Sequence, residues 1–335
     1  MELENRCKEL VEELGLATAS EVQSVKPLTG GVASDIAMVD LGTRKLCVKF
    51  ALPKLKVAAE WLAPVHRNAA EYAWLEVAAG VAPESAVRLF GRSEKAHGFA
   101  VEFLDGTGVF LWKERLLAGE PEQGEAAKVG TLLGKVHDHS AQDHFDTAAF
   151  QNRDDFHALR IEPYLSFTRT RHPQLTKPLK ALEDMLYESQ KVLVHGDASP
   201  KNIMFRQGAA ILLDAECATM GDASFDPAFC LNHLALKAVH LTKTRQSNLE
   251  AMRALWKAYV HHVSWEDPSN LEKRLCALLP ALMLARIDGK SPVEYLSRDN
   301  QQRVRDFAIP QVLSPTESLD TFVETLMHDL TGETQ

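Results

Sequence analysis

The chain has 335 residues, 45% hydrophobic and 25% charged, with a formal net charge of −9. That length holds one large core or two lobes, and the composition is that of an ordinary soluble enzyme. The acidic balance, with no basic run to offset it, excludes general affinity for nucleic acid. Five scattered cysteines, an odd number without a CxxC pair, read as reduced thiols in a cytoplasmic protein. No apolar run reaches membrane-spanning length. The first residues, MELENRCKELVEELG, are charged and amphipathic and do not form a signal peptide.

Residues 4–16 carry helical periodicity, with Leu10, Val11 and Leu14 on one stripe. Residues 25–50 read as three strands. Residues 28–34 make the first turn, with Gly30, Gly31 and Ser34 in it. Two adjacent glycines let backbone N–H groups come close to a phosphate, although most such pairs are plain hairpins. The third strand, 44–50, alternates so that Leu46, Val48 and Phe50 share one face and Cys47 and Lys49 the other. A lone strand lysine is usually a solvated edge residue. Residues 68–79 form a helix with Glu71 on the face of Leu75 and Ala78. Residues 87–89 and 98–104 are two further strands, and Asp105-Gly106 is a turn. Residues 122–140 are a long amphipathic helix ending near His137. Residues 154–159 and 162–167 are short helical pieces, followed by Arg169, Arg171 and His172 as loop residues.

Residues 192–214, VLVHGDASPKNIMFRQGAAILLD, hold an apolar strand, a polar loop, a strand, a turn at Gln207-Gly208 and a last strand ending on Asp214, with Glu216 beyond it. Folded as a hairpin, they gather Asp197, Asn202 and Asp214 at one sheet edge. Mg²⁺ takes hard oxygen ligands, usually one or two carboxylates plus phosphate oxygens. A second carboxylate then remains to orient a hydroxyl. An Asp, four spacers, an Asn and a later metal-binding Asp is the phosphoryl-transfer pattern. Singly, Asp197 and Asn202 would be plain turn residues; the spacing of the whole set points to metal-assisted phosphoryl chemistry.

Beyond it, residues 228–241, 255–263 and 271–286 are apolar helices, the last containing Pro280, which should kink it or end a turn. Residues 286–292 form a polar loop before a helix from about residue 293. Arg286, Asp288 and Lys290 are either a charged surface turn or a set facing a cleft. In the second case Arg286 and Lys290 suit a substrate carboxylate, phosphate or polyol. His261-His262 lack a spaced third ligand and are helix residues.

HGDASPKN, then LLDAE, then GDASFDPAF with Gly221 and Asp226, resembles the catalytic region of the aminoglycoside phosphotransferase and choline kinase superfamily. The resemblance implies an α+β, two-lobed, protein-kinase-like fold: a small β-rich lobe over residues 1–104 and a larger, mainly helical lobe over 105–335. It implies ATP- and Mg²⁺-dependent phosphorylation of a small molecule's hydroxyl. Asp197 becomes the catalytic carboxylate, Asn202 and Asp214 the Mg²⁺ ligands, and Glu216 a further ligand or a group behind them. Lys49 becomes the phosphate-binding lysine, with Glu71 as its partner and Glu76 or Glu60 as alternatives. The Gly30–Gly31–Ser34 turn covers the phosphates, and Glu102, Phe103 and Leu104 mark the hinge, where adenine meets backbone. His137 and His195 brace the catalytic loop.

The segment with Lys49, Ala51, Leu52, Pro53, Glu60, Trp61 and Arg67 resembles methylthioribose kinase in particular. In that family the tryptophan-bearing loop lies near the substrate and nucleotide, so here Trp61 and His66 either reach the cleft or Trp61 packs the loop onto the lobe. The chain departs from that family in having no Arg-Arg dipeptide and in keeping Asn202. A ribose-like sugar, an amino alcohol, a hydroxy amino acid and an aminoglycoside all stay open as acceptor, and so does a homodimer. The rival readings are a nucleotide-binding pseudokinase that regulates a partner, and a metal-dependent hydrolase built on His195, Asp197, Asp214 and Glu216.

Overall fold

The computed structural model describes residues 3–28, 34–52 and 67–332. The Gly30-Gly31 turn, Pro53, Glu60, Trp61 and His66 lie outside the described residues. The fold is two-lobed and kinase-like, as its sequence motifs imply. The first lobe carries helix α1 (Leu3–Glu13) and five strands: β1 (Ser24–Pro27), β2 (Ser34–Asp40), β3 (Lys45–Ala51), β4 (Leu89–Ser93) and β5 (Gly98–Glu102). They form one antiparallel sheet in the order β1-β2-β3-β5-β4. Alternation along β3 sets its two faces. Leu46, Val48 and Phe50 pack with Cys7, Leu10 and Val11 of α1 in a small core, and Cys47 and Lys49 turn toward the cleft. Helix α2 (Arg67–Val81) covers that inner side.

Strand β4 corrects the expectation for residues 87–89. Val87 is buried, but in the cleft wall, and the pairing begins at Leu89, with a bulge between Leu89 and Gly91. An apolar residue reads the same in a strand and in a wall.

A strap, β6 (Phe110–Leu111) and α3 (Trp112–Leu117), leads into the second lobe. Its helices are α4 (Glu125–Ser140), α5 (Arg153–Phe156), α6 (Phe167–Arg171) and α7 (Thr176–Glu188). Next come β7 (Val192–Val194), β8 (Ile203–Arg206), β9 (Ala209–Leu212) and β10 (Thr219–Gly221). The last helices are α8 (Phe225–His240), α9 (Arg245–Val260), α10 (Pro268–Asp288), α11 (Arg298–Leu313) and α12 (Leu319–Thr331). Helix α4 lies against α9 so closely that a Cβ on Gly130 would sit 2.2 Å from the Leu255 carbonyl oxygen. Helix α8 runs through the middle of the lobe, with all residues but His240 buried.

Residues 153–171 form one helical run, where the sequence suggested two pieces and a loop. His157–Ser166, with Pro163 inside, winds in wider π turns that join α5 to α6. Proline removes a backbone donor, and the wider turn accommodates the gap. Arg169 and Arg171 are therefore helical. Pro280 does not end α10. The helix expected from about residue 293 begins at Arg298, where the Ser297 hydroxyl accepts from the Asn300 amide and caps it. Helices α3 and α7 and the polar first half of α9 escaped the periodicity reading, being short or mostly polar on one side. All five cysteines are free thiols. No described helix is long and apolar enough to cross a membrane.

Candidate active site

The hairpin forms as its residues dictate. β8 and β9 pair from Ile203↔Leu212 to Arg206↔Ala209, leaving Gln207 and Gly208 as a two-residue turn. Both have positive φ, 51° and 80°, which is the primed turn that suits strand twist. The Leu213 amide donates to the Asn202 carbonyl at 2.9 Å, so Asp214 emerges beside Asn202. Asp214 itself sits in the left-handed region, φ 68°, an uncommon conformation that aims its carboxylate across the cleft. β7 pairs separately with β10 and delivers His195, Gly196 and Asp197 to the same place.

The loop between them is held from below. Asp226, at the start of α8, accepts from the His195 amide at 2.5 Å and the Gly196 amide at 2.9 Å. His137 reaches the same carboxylate at 3.3 Å and the Tyr259 hydroxyl at 2.8 Å. Gly196 has φ 78°, and a Cβ there would stand 2.7 Å from the Cys217 carbonyl oxygen. The Asp197 amide donates to His195 Nδ1 at 3.2 Å, and the His195 ring meets Trp74 edge-on at 4.7 Å. Burial, opposed by the charges of Asp226, Asp197 and Asp214, lowers the pKa of His195. Its place is that of a brace.

Across the cleft, Lys49 Nζ lies 2.8 Å from both Glu71 oxygens and touches Asp214 Oδ1. Glu76, the alternative partner, is exposed. Burial alone would lower Lys49, but Asp214, Glu71 and Glu216 outweigh it and raise its pKa. Burial, with Asp214 and Glu216 adding to it and Lys49 opposing, raises Glu71 to about 7. Asp214 moves the other way: burial is overcome by Lys49 and Lys201, and its pKa falls. The ammonium is thus the hub, and Asp214 is its stronger anion.

Asn202 Nδ2 donates to the Asp197 carbonyl at 3.1 Å, which leaves its amide oxygen free of that bond. Asn202 and Asp214 line one cavity of 670 Å³ with Lys49 and Glu71, within the usual size for a cofactor pocket. Its far end is apolar, with Leu28, Ile36, Val101, Leu111, Met204 and Leu213, and is edged by Glu102, Phe103 and Leu104. One amide oxygen and one carboxylate beside a cationic hub fit a phosphate-bound Mg²⁺, which leaves most of its shell to phosphate and water. Among the described residues, no three His, Cys, Asp or Glu side chains cluster as a metal cage. The ligand set required by the hydrolase reading is therefore not assembled there. Glu216 accepts from Arg67 Nε at 2.9 Å and stands behind Asp214. Ser34 begins β2 opposite Ala51. The Glu102 carboxylate points away, to Arg206 at 2.7 Å.

Asp197 has two cationic neighbours that the sequence reading did not single out. Arg160 Nη2 and Lys201 Nζ each lie 3.0 Å from Asp197 Oδ2, and Arg160 also donates to the Gly196 carbonyl. Burial is overcome by Lys201 and Arg160, so the Asp197 pKa is lowered. Lys201, four residues after Asp197 in the same loop, was findable by spacing. Arg160 comes from the π-wound segment, and nothing local marks it. Arg286 and Lys290 differ in surroundings. Lys290 is an exposed partner of Glu162, whereas Arg286 Nη1 meets the Tyr164 hydroxyl at 3.2 Å and the Ser291 hydroxyl at 2.9 Å.

Residues 24–255 match the model of the phosphotransferase enzyme family. No curated protein matches the chain. Solved structures of similar fold include an amicoumacin kinase in complex with AMP-PNP, Ca²⁺ and its antibiotic, at 15% identity over 96% of this chain and 100% of that one, TM-score 0.52. A choline kinase from Streptococcus pneumoniae shares 15% identity over 93% and 99% of the two chains, TM-score 0.51. An ethanolamine kinase from Plasmodium vivax shares 13% identity over 97% and 86%, TM-score 0.51. Identities this low establish the shared fold.

Proposed function

This chain belongs to the phosphotransferase enzyme family, and on that premise we propose that it transfers the terminal phosphoryl group of Mg²⁺-bound ATP to a hydroxyl of a small molecule. The observation that carries the reading is Lys49 held between Glu71 and Asp214 in one cavity with Asn202, whose side chain holds the Asp197 carbonyl. Lys49 would hold the α- and β-phosphates and Glu71 would hold Lys49. Asn202 and Asp214 would hold Mg²⁺, which neutralises charge on the transferring group. The turn at residues 30–34 would cover the phosphates, and the backbone at residues 102–104 would receive adenine.

Asp197 has a lowered pKa, so it is a poor base toward an unreacted alcohol. It would orient the hydroxyl through Oδ1, since Arg160 and Lys201 both contact Oδ2. As the new O–P bond forms and the β–γ bridging P–O bond breaks, the hydroxyl turns acidic and its proton passes to Asp197. Arg160 and Lys201 hold the carboxylate still, and positioning supplies much of the rate in such chemistry.

Calorimetry tests the nucleotide half. Wild type should bind Mg·ATP, Asp197→Asn should bind it as well as wild type, and Asp214→Asn should bind it at least about 10-fold more poorly, since losing a metal ligand costs no less than losing a group that orients one. Absence of nucleotide binding in the wild type contradicts the reading.

A further inference from the structure

Helix α8 carries a lysine in its buried interior. Lys237 is 1% exposed, and among the described residues no carboxylate lies within ion-pair distance of it. Its contacts are the His233 carbonyl of its own helix at 3.5 Å and the face of Tyr295 at 5.4 Å. A buried amine without a counter-ion is costly, and proteins rarely keep one unless it is used.

Lys237 is not isolated. Phe229, His233 and Lys237 follow at four-residue spacing on one face of α8. The row begins under the catalytic loop. Arg160, which touches Asp197, lies over Phe229 at 6.0 Å, and Phe229 packs on Tyr164 at 5.4 Å and on His233 at 5.7 Å. Tyr164 in turn reaches Arg286, a second cation without a carboxylate partner among the described residues. Arg286 Nε and the Tyr295 hydroxyl are buried donors that no group among the described residues satisfies. Buried donors in native proteins are nearly always satisfied, so such orphans point to a missing acceptor. Nearby carboxylates are already taken: Glu294 by Lys113 at 2.7 Å and Glu162 by Lys290.

We propose that Arg286, Lys237 and the Tyr295 hydroxyl receive an anionic group, a carboxylate or a phosphate, on the acceptor whose hydroxyl is presented to Asp197. This deepens the kinase reading and rests on it. It also separates this chain from the cationic amino alcohols named for two of its structural relatives. A choline or ethanolamine head would meet Arg286 and Lys237 here, with the nearby Glu294 already paired to Lys113.

The charge state of the row agrees. Burial first, then Lys113 and Arg286, lower Lys237 to about 7, against the opposing influence of Cys230 and Glu294. Burial and the charges of Arg286, Lys237, Lys201 and Lys113 push His233 well below its ordinary value. An anion placed among these groups reverses the balance and holds Lys237 protonated, so binding above neutral pH must take up a proton.

The test is calorimetry on the full chain with Mg·AMP-PNP present. The probes are erythronate, gluconate and glycerol 3-phosphate as anions, erythritol and ribose as neutral compounds, and choline and ethanolamine as cations. At least one carboxylate or phosphate should bind, and which of the two classes does so identifies the anion. Its affinity should fall at least about 10-fold in Lys237→Met and in Arg286→Met, with Mg·AMP-PNP binding unchanged. At pH 8, titrations in buffers of different ionisation heat should show proton uptake by wild type and less by Lys237→Met. A merely structural lysine gives no such difference. Binding confined to neutral or cationic probes, binding by none of the anions, or equal anion affinity in both variants overturns the proposal. Anion binding that depends on Lys237 and Arg286, without any ADP formed from Mg·ATP, would keep the anion site and contradict the kinase reading.

Discussion

At the sheet end of the cleft, Lys49 is 5% exposed and touches two carboxylates. Below the catalytic loop, Lys237 is 1% exposed and touches none among the described residues. Both are buried lysines, and the difference lies in what completes them. Around Lys49 the protein supplies the negative charge itself, so the amine stays charged and fixed before any ligand arrives. Around Lys237 it supplies more positive charge and two unsatisfied donors. A closed circuit of charge describes a preorganised machine part. An open one describes a partner that is not encoded in the chain.

The sharpest way to break this comparison is at the centre that both ends share. Asp197→Asn should lower kcat by about 10² to 10⁴, the range for losing a positioned proton acceptor, and leave Mg·ATP affinity intact by calorimetry. Next is Lys49→Met. It removes the hub from two buried carboxylates, so it should weaken nucleotide binding and also destabilise the fold by about 3 kcal/mol, the scale of breaking a buried pair on one side, read by urea denaturation.

Lys237→Met should do the opposite to stability. The wild-type Lys237 pKa is lowered when folded, so the unfolded chain binds the proton more readily, and wild-type stability should fall as pH drops through that range toward 7. The variant should lack this slope. Its melting temperature should equal or exceed that of the wild type at pH 7, with the gap closing above about pH 10.5, the ordinary lysine value. A variant clearly less stable at pH 7 would make Lys237 a structural residue. The smallest effect is expected away from both ends. Gly208→Ala, at φ 80° in the open hairpin turn, should cost about 1 kcal/mol with kinetics unchanged.

What was legible in the sequence follows how local each feature is. Asp197, Asn202 and Asp214 sit on one loop and hairpin, so their spacing was enough to place them together. Strand alternation set Lys49 on the face opposite Leu46, Val48 and Phe50, but its role in the cleft and Glu71 as its partner came from the family resemblance, and the structure pairs the two. Arg160 reaches Asp197 from the π-wound segment, 37 positions earlier by numbering, and no local pattern announces it. Lys237 did leave a mark, a charge inside the apolar run of residues 228–241. Helical periodicity treats such a residue as a surface one, and only a helix buried on every side shows otherwise. The helix that starts at Arg298 was misplaced for a similar reason: residues 293–297 are apolar enough for a helix, but the Ser297 cap decides the start.

The most direct measurement is ³¹P NMR of the purified protein with Mg·ATP and the hydroxy-compound panel, extended to methylthioribose, homoserine and kanamycin. The account predicts that the ATP γ-phosphorus resonance is replaced by ADP and a new phosphate monoester coupled to a carbon-bound proton, only with an acceptor present and not with Asp197→Asn. Inorganic phosphate as the sole new signal, or a monoester formed equally by Asp197→Asn, would contradict it.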